Sequence, residues 1–325
     1  MKCQTCVAYA ASMHRVLVVG TPRGGTTWVA RALTQEHDVH YVHEPDGTHE
    51  PFAFRARRGD RLAHYPVLRP ETFSLQYTRL WNGVFAGGRL PRSPADVAAR
   101  RAFRGVTGDQ KRRAAGDGTR TLRLRIAEAL AQPRVADPSP SAIVAKSVNA
   151  ALAAEWIWTQ FRPVVVVVRR DLRNVLASWN ALGFRGPGEA AFAPIAAEAR
   201  RRWDVAFDPG DDGLSRSAAL CAVMTAALHD DAARHGWVVV DHEDACVDPL
   251  GVLASAAEAA GLKWTERATS FVRTSDREGS GYETARVASE LPSAWRHRLS
   301  SDELRAIDGV VTRLPESLQD IVYSA

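Results

Sequence analysis

Three short stretches of this chain put anion-gripping and proton-accepting groups at the ends of apolar runs. Residues 16–28 read Val-Leu-Val-Val-Gly-Thr-Pro-Arg-Gly-Gly-Thr-Thr-Trp. Glycine at 20, 24 and 25 permits positive φ and close backbone approach. The N–H groups of Gly24 to Thr27, at the start of a helix, would face an anion there. In the second stretch the run Val164–Val168 delivers Arg169 and Arg170, and Ser178 follows eight residues after Arg170. An arginine fork grips phosphate oxygens in pairs, and a serine hydroxyl adds a neutral donor. The third stretch is His40-Tyr-Val-His-Glu-Pro45, which offers His43 and Glu44. A carboxylate or imidazole within hydrogen-bond reach of a hydroxyl can take its proton. Ile143-Val-Ala-Lys-Ser147 places a further cation, Lys146, in a similar position.

Something must hold these groups together. Val16–Val19, Val39–Val42, Ala142–Ala145, Val164–Val168 and Trp237–Val240 are apolar without alternation, as strands of a sheet covered on both faces require. Helical patterns follow most of them, at Trp28–Glu36, Asn149–Phe161, Arg173–Ala181 and Pro249–Ala260. Repeated β-α units predict an open α/β sheet with a central parallel arrangement. Ligands in such sheets bind outside the carboxyl ends of the strands, where every polar group named above would sit. Asp171 and Asp248 are suited to cap the helices that follow them, the second before Pro249.

Residues 45–140 differ. Nine Lys/Arg stand between Arg100 and Arg125 against two Asp, with Glu128 close by. Such a segment is either a solvated, partly mobile insertion or a basic lid over an acceptor. Phe52, Phe54, Tyr65, Phe73, Tyr77, Trp81 and Phe85 precede the basic run, so part of it should pack. Gly183–Pro194 and Arg273–Pro292 read as irregular, the second as a loop over a bound nucleotide.

Pro22-Arg-Gly-Gly-Thr-Thr-Trp28 resembles the 5′-phosphosulfate-binding loop of sulfotransferases, and Arg170 with Ser178 resembles their 3′-phosphate-binding motif. The two lie in the family's order, about 150 residues apart. The resemblance is to bacterial, carbohydrate-type members. It implies a three-layer, P-loop NTPase-like α/β fold and transfer of a sulfuryl group from 3′-phosphoadenosine 5′-phosphosulfate (PAPS) to a hydroxyl, releasing PAP. The acceptor would be a carbohydrate, a glycolipid or a secondary metabolite. On that reading Arg23, Gly24, Gly25, Thr26, Thr27, Trp28, Arg170 and Ser178 bind PAPS, with Trp28 stacked on the adenine or else serving as a core residue. Glu44 is the expected general base, His43 the second candidate, and Lys146 would face the bridging oxygen of the leaving PAP. Glu44 could instead merely orient Arg23 or Lys146.

The chain departs from the pattern in three places. Asp171-Leu172 stands where many members have Asn-Pro or Asp-Pro. Lys146-Ser147-Val148 lacks the histidine that phenol and steroid enzymes carry as Lys-x-His. In Leu291-Pro-Ser-Ala-Trp-Arg-His-Arg-Leu299 only Trp295 and Arg296 match the family's closing segment. A small-molecule kinase is the first rival, because Gly20-x4-Gly25 has the spacing of a Walker loop; Thr26 in place of its lysine speaks against it. The second is a non-catalytic protein that binds polyanions through residues 100–125.

Composition bounds the rest. The chain has 325 residues, is 46% apolar and carries a net charge of +5. That suits a sizeable core and anionic ligands and is too weak to argue for nucleic acid. Cys3-x-x-Cys6 is at most half a zinc site, and Cys221 and Cys246 lack the matching spacing, so no metal is expected. No apolar run reaches the ~18 residues that span a membrane, and no leader is legible, which predicts a cytoplasmic protein without stable membrane insertion. Residues 1–14 are expected to be a flexible terminus and 15–325 a single sulfotransferase-like domain with an insertion at about 45–140.

Overall fold

The computed structural model describes residues 13–85, 94–115, 119–131, 140–184, 186–208, 211–277 and 291–323. Cys3, Cys6 and most of the expected Arg273–Pro292 loop lie outside the described residues. Five parallel strands, β1 (His14–Gly20), β2 (Val39–His43), β3 (Ala142–Ser147), β4 (Val164–Arg169) and β5 (Val238–Asp241), form one sheet in the order β2-β3-β1-β4-β5. The sheet is flanked by helices on both faces, an α/β fold.

The missing alternation has a direct structural cause. Side chains alternate between faces along a strand. Val16 and Val18 pack on one face with Val29, Val144, Val166 and Leu253, while Leu17 and Val19 pack on the other with Ile143, Val165, Leu172 and Trp156. Both faces are dry, so each strand is apolar throughout. The helix Gly213–His235 covers much of the second face and is buried along most of its length from Ser217 to Ala232. It was not legible as one element, because a helix that is apolar nearly all round carries little amphipathic signal.

The sheet register sets the site. Val19 pairs with Ser147, Gly20 with Val168, His43 with Lys146 and Arg169 with Asp241, so the five carboxyl ends lie in one row. Asp171 caps the helix Leu172–Ala181 by accepting from the Arg173 N–H at 2.7 Å. Asp248 caps Pro249–Ala259 by accepting from the Gly251 N–H at 2.9 Å.

The segment after β2 folds into helices: Pro51–Gly59, Leu75–Phe85, Pro94–Arg104, Gly108–Ala115 and Leu122–Leu130. Phe52, Tyr77, Trp81 and Phe85 join the core on one face of the sheet, and Phe54, Phe103 and Leu124 form a cluster of their own. Its described part is therefore packed rather than loose, with Phe73 left exposed. Gly183–Pro194 is irregular only at its start, since a helix begins at Glu189 with Pro194 inside it. Arg273 lies in the last turn of a helix, Glu266–Ser275, rather than opening a loop. Trp156 is buried in the core, and Trp158 and Trp203 pack against it.

Candidate functional site

The loop after β1 is shaped by two residues in left-handed conformation, Arg23 at φ 69° and Gly25 at φ 86°. Gly20 and Gly24 do not share that conformation, contrary to the expectation of positive φ at all three glycines. They serve close approach instead: a Cβ on Gly20 would overlap the Val168 carbonyl, and one on Gly24 would lie 2.9 Å from the Thr21 carbonyl oxygen. The Gly24 N–H is spent on that carbonyl at 3.0 Å, so it does not face an anion as expected. Gly25, Thr26 and Thr27 open the helix Thr26–Leu33, and N–H groups at a helix start have no carbonyl one turn back. Those three residues, with Arg23 and Trp28, line a large cleft among the described residues. Trp28 donates its indole N–H to Ser275 Oγ at 2.9 Å, and its ring meets His242 edge-on at 6.0 Å.

The end of β4 supplies the second cationic group. Arg170 donates from Nη1 to the Arg23 carbonyl at 2.8 Å, and Arg23 donates from Nε to Ser178 Oγ at 3.0 Å. The expected phosphate loop and the expected 3′-phosphate pair are thus one connected unit. Arg170 Nε is buried with no hydrogen-bond partner among the described residues. Burial pulls the Arg170 guanidinium down from the ordinary arginine range, and the Glu243 carboxylate beside it pushes back. Burial raises the Glu243 carboxyl in turn, against the Arg170 charge. Arg169 turns away to pair with Asp241.

Glu44 lies one residue past β2 and extends its ladder, donating its N–H to the Lys146 carbonyl at 2.8 Å. Its φ of 43° folds the chain back so that the side chain meets the end of β3. Lys146 Nζ donates to Oε1, while Oε2 accepts from Asn149 Nδ2 at 3.0 Å and from the Val148 N–H at 3.4 Å. Glu44 and Lys146 are both buried, at 8% and 3% exposure, so the pair holds itself in a dry corner of the cleft. A buried pair with its remaining lone pairs satisfied is the arrangement that tolerates such burial. His43 is exposed, bonded through Nδ1 to the Tyr41 hydroxyl at 2.9 Å, and lines the same cleft.

Several residues here escaped the sequence reading. Asp46, fully buried, accepts from Ser147 Oγ at 2.6 Å and from the Tyr77 hydroxyl at 2.9 Å, and its carbonyl takes an N–H of Arg57. Burial raises its carboxyl above the ordinary range. Asn149, His64, His242 and Arg298 line the cleft, which encloses about 1400 Å³. His242 packs on Gly25, and burial first, then the Arg170 charge, holds its imidazole well below the ordinary value. Cys246, 3.6 Å from His242 Nδ1, has its thiol pushed up to about 12 by burial, so it stays protonated and inert at neutral pH. Trp295 and Arg296 are not among the residues of the cleft wall; Arg173 stacks over Trp295 at 4.2 Å, while Leu291 and Arg298 reach the cleft.

Among the described residues no three His, Cys, Asp or Glu side chains come together as a metal-ligand set. Among them, too, no helix is long and apolar enough to cross a membrane.

No family model and no curated protein matches the chain. Solved structures that match it include sulfotransferases. The sulfotransferase domain of the Synechococcus PCC 7002 olefin synthase is 13% identical, with 94% of this chain and 97% of that one covered at a TM-score of 0.45. The sulfotransferase domain of the curacin biosynthetic pathway is 12% identical, with 93% and 99% covered at 0.42. The sulfotransferase STF1 of Mycobacterium tuberculosis H37Rv is 15% identical, with 90% and 79% covered at 0.36. At such identities and scores the likeness carries no argument about activity, which has to come from the site's own residues.

Proposed function

We propose that this protein is a sulfotransferase that moves a sulfuryl group from PAPS to an acceptor hydroxyl and releases PAP. The observation that carries the reading is the linkage of two anion-binding groups in one cleft, the helix start at Gly25–Thr27 and Arg170 with Ser178, bridged by Arg23. A nucleotide with a phosphate on each side of its ribose needs two such grips. The residues fit it: Arg170 Nε is a buried donor without a partner among the described residues, and Gly25, in left-handed conformation at the helix start, lines the cleft with Thr26 and Thr27. A nucleoside triphosphate would instead call for a lysine where Thr26 stands.

Within this reading the N–H groups and hydroxyls of Thr26 and Thr27 hold the 5′ end, and Arg170 and Ser178 hold the 3′-phosphate. Trp28 walls the base side. Glu44 takes the acceptor proton as the new oxygen–sulfur bond forms and the bond from sulfur to the departing phosphate breaks. Lys146, already on Glu44, is the cation nearest that corner and offsets charge on the departing oxygen. His43 is the second candidate for the base. The acceptor is read as a carbohydrate, a glycolipid or a secondary metabolite.

A thermal-shift comparison of PAP with ATP·Mg²⁺ tests the donor. A ligand bound only to the folded state at ~100 times its Kd stabilises by about 2.7 kcal/mol. A shift with PAP alone is expected; a shift with ATP·Mg²⁺ alone overturns the reading in favour of a kinase.

A further inference from the structure

His64 is a cleft histidine whose hydrogen-bond partner fixes which ring nitrogen carries the proton. The helix Pro51–Gly59 ends in a tight turn, with Arg61 at φ 55° and the Leu62 N–H returning to the Arg57 carbonyl at 2.7 Å. This brings His64 back over the Arg57 side chain. Arg57 is buried at 6% exposure, is held by the Asp46 carbonyl through Nη2, and reaches His64 Nδ1 through Nη1 at 3.2 Å. A guanidinium has donors and no acceptor, so Nδ1 must offer its lone pair. A neutral imidazole then carries its proton on Nε2. The Tyr65 ring closes one side edge-on, 4.5 Å between centroids, and the rest of the exposed ring opens into the cleft that Glu44, His43 and Lys146 share.

We propose that His64 binds the acceptor substrate as a neutral hydrogen-bond donor through Nε2–H, so that the acceptor bears an uncharged oxygen (a hydroxyl, ether or carbonyl) beside the hydroxyl that reacts. The proposal rests on the sulfotransferase reading for the word acceptor, but the state of the ring does not. Its role is separate from proton abstraction: with Nδ1 occupied and Nε2 already protonated, His64 has no site to take the acceptor's proton. The protein packed around the ring, and after it the Arg57 charge, agree with the geometry in lowering the imidazolium below the ordinary range, although the ring keeps a face open to the cleft.

Two-bond ¹H–¹⁵N correlation spectra of the free protein, with His64 assigned by its absence in His64→Gln, read the ring directly. The expected result is an Nε2–H tautomer that does not titrate between about pH 5 and 8, where an ordinary histidine would. An Nδ1–H tautomer, or titration near the ordinary value, overturns the proposal. In Arg57→Gln, or in Arg57→Met should that variant fail to fold, the charge and the obligatory donor are gone and ordinary titration should return. The second arm compares sulfuryl transfer from PAPS to cyclohexanol and to its vicinal diol. The wild type should favour the diol by about tenfold, the scale of one hydrogen bond, and His64→Ala should lose that preference while binding PAP unchanged. Equal preference in wild type and His64→Ala overturns the acceptor role. Failure of the wild type to bind PAP overturns the donor reading instead and leaves the spectra standing as a separate result.

Discussion

Replacing Gly25 with alanine tests the cradle most sharply, because two separable costs meet at one atom. At φ 86° and ψ −1° an added Cβ strains the backbone, which costs about 1–2 kcal/mol. The same Cβ would overlap the His242 ring and lie 2.8 Å from its Nε2. His242 is 4% exposed, and displacing its packed ring adds about 1–3 kcal/mol. The expected loss is therefore about 2–5 kcal/mol, read from urea unfolding midpoints at constant slope. Removing the ring should lift the second cost and leave the first. In a cycle with His242→Ala, the double variant should be more stable than the sum of the singles predicts, by about 1–3 kcal/mol. A Gly25→Ala protein within about 0.5 kcal/mol of the wild type would refute the reasoning, since that is the range of an inert surface change. A cycle without coupling would refute the clash and leave only the backbone cost.

Three further outcomes follow from the same geometry. Glu44→Gln strands the Lys146 ammonium at 3% exposure, so it should destabilise by about 3–5 kcal/mol, and adding Lys146→Met should recover much of that. Turnover normalised to folded protein should be lost in both; retained turnover in Glu44→Gln excludes it as the base. Arg170→Ala and Ser178→Ala should each reduce the preference for PAP over AMP, Arg170→Ala by at least about tenfold in calorimetric Kd, because a charge-assisted bond contributes more than a neutral one. An unchanged preference removes these residues from the 3′-phosphate. His242 is held below its ordinary value in the folded state, so the unfolded chain binds more protons on acidification. Its contribution is complete above about pH 6.5 and is lost as pH falls below that value. Melting temperature should drop between about pH 7 and pH 5, less steeply in His242→Gln; an equal slope in the variant would assign the drop to other groups.

The strands were legible because burial on both faces leaves a mark that no partner can hide. Each of the five apolar runs becomes a strand, carried on by one or two residues at its carboxyl end into positions such as His43, Ser147 and Asp241, while β1 also starts two residues before its run and β5 one residue after. The helices after β2 were not legible. Phe54, Phe103 and Leu124 bury against one another across 70 residues of chain, and that partnership has no local period to read. The basic run there is partly answered by acids outside it: Arg100 bonds Glu50, fifty residues earlier, at 2.9 Å, and Arg120 shares Glu128 with the distant Arg58.

At the site the division is the same. Residues that end a strand, such as Glu44, Lys146 and Arg170, announce themselves, because a charge directly after a valine run has to leave the sheet at its carboxyl edge. Residues that act through a distant partner stay silent. Asp46 gains its place only when Ser147 and Tyr77 arrive from β3 and from Leu75–Phe85. His64 gains a defined tautomer only because Arg57, seven residues earlier, is pinned by that same Asp46 segment. The sequence therefore reveals which groups can grip an anion or move a proton, while the contacts that decide their protonation and pose form only once the helices after β2 close over the sheet. This is why Glu44 reads as a base in the chain yet stands in the fold as half of a buried pair, and why the stability of the double variant with Lys146→Met reads its support of the structure, while the turnover of Glu44→Gln per folded protein reads its chemistry.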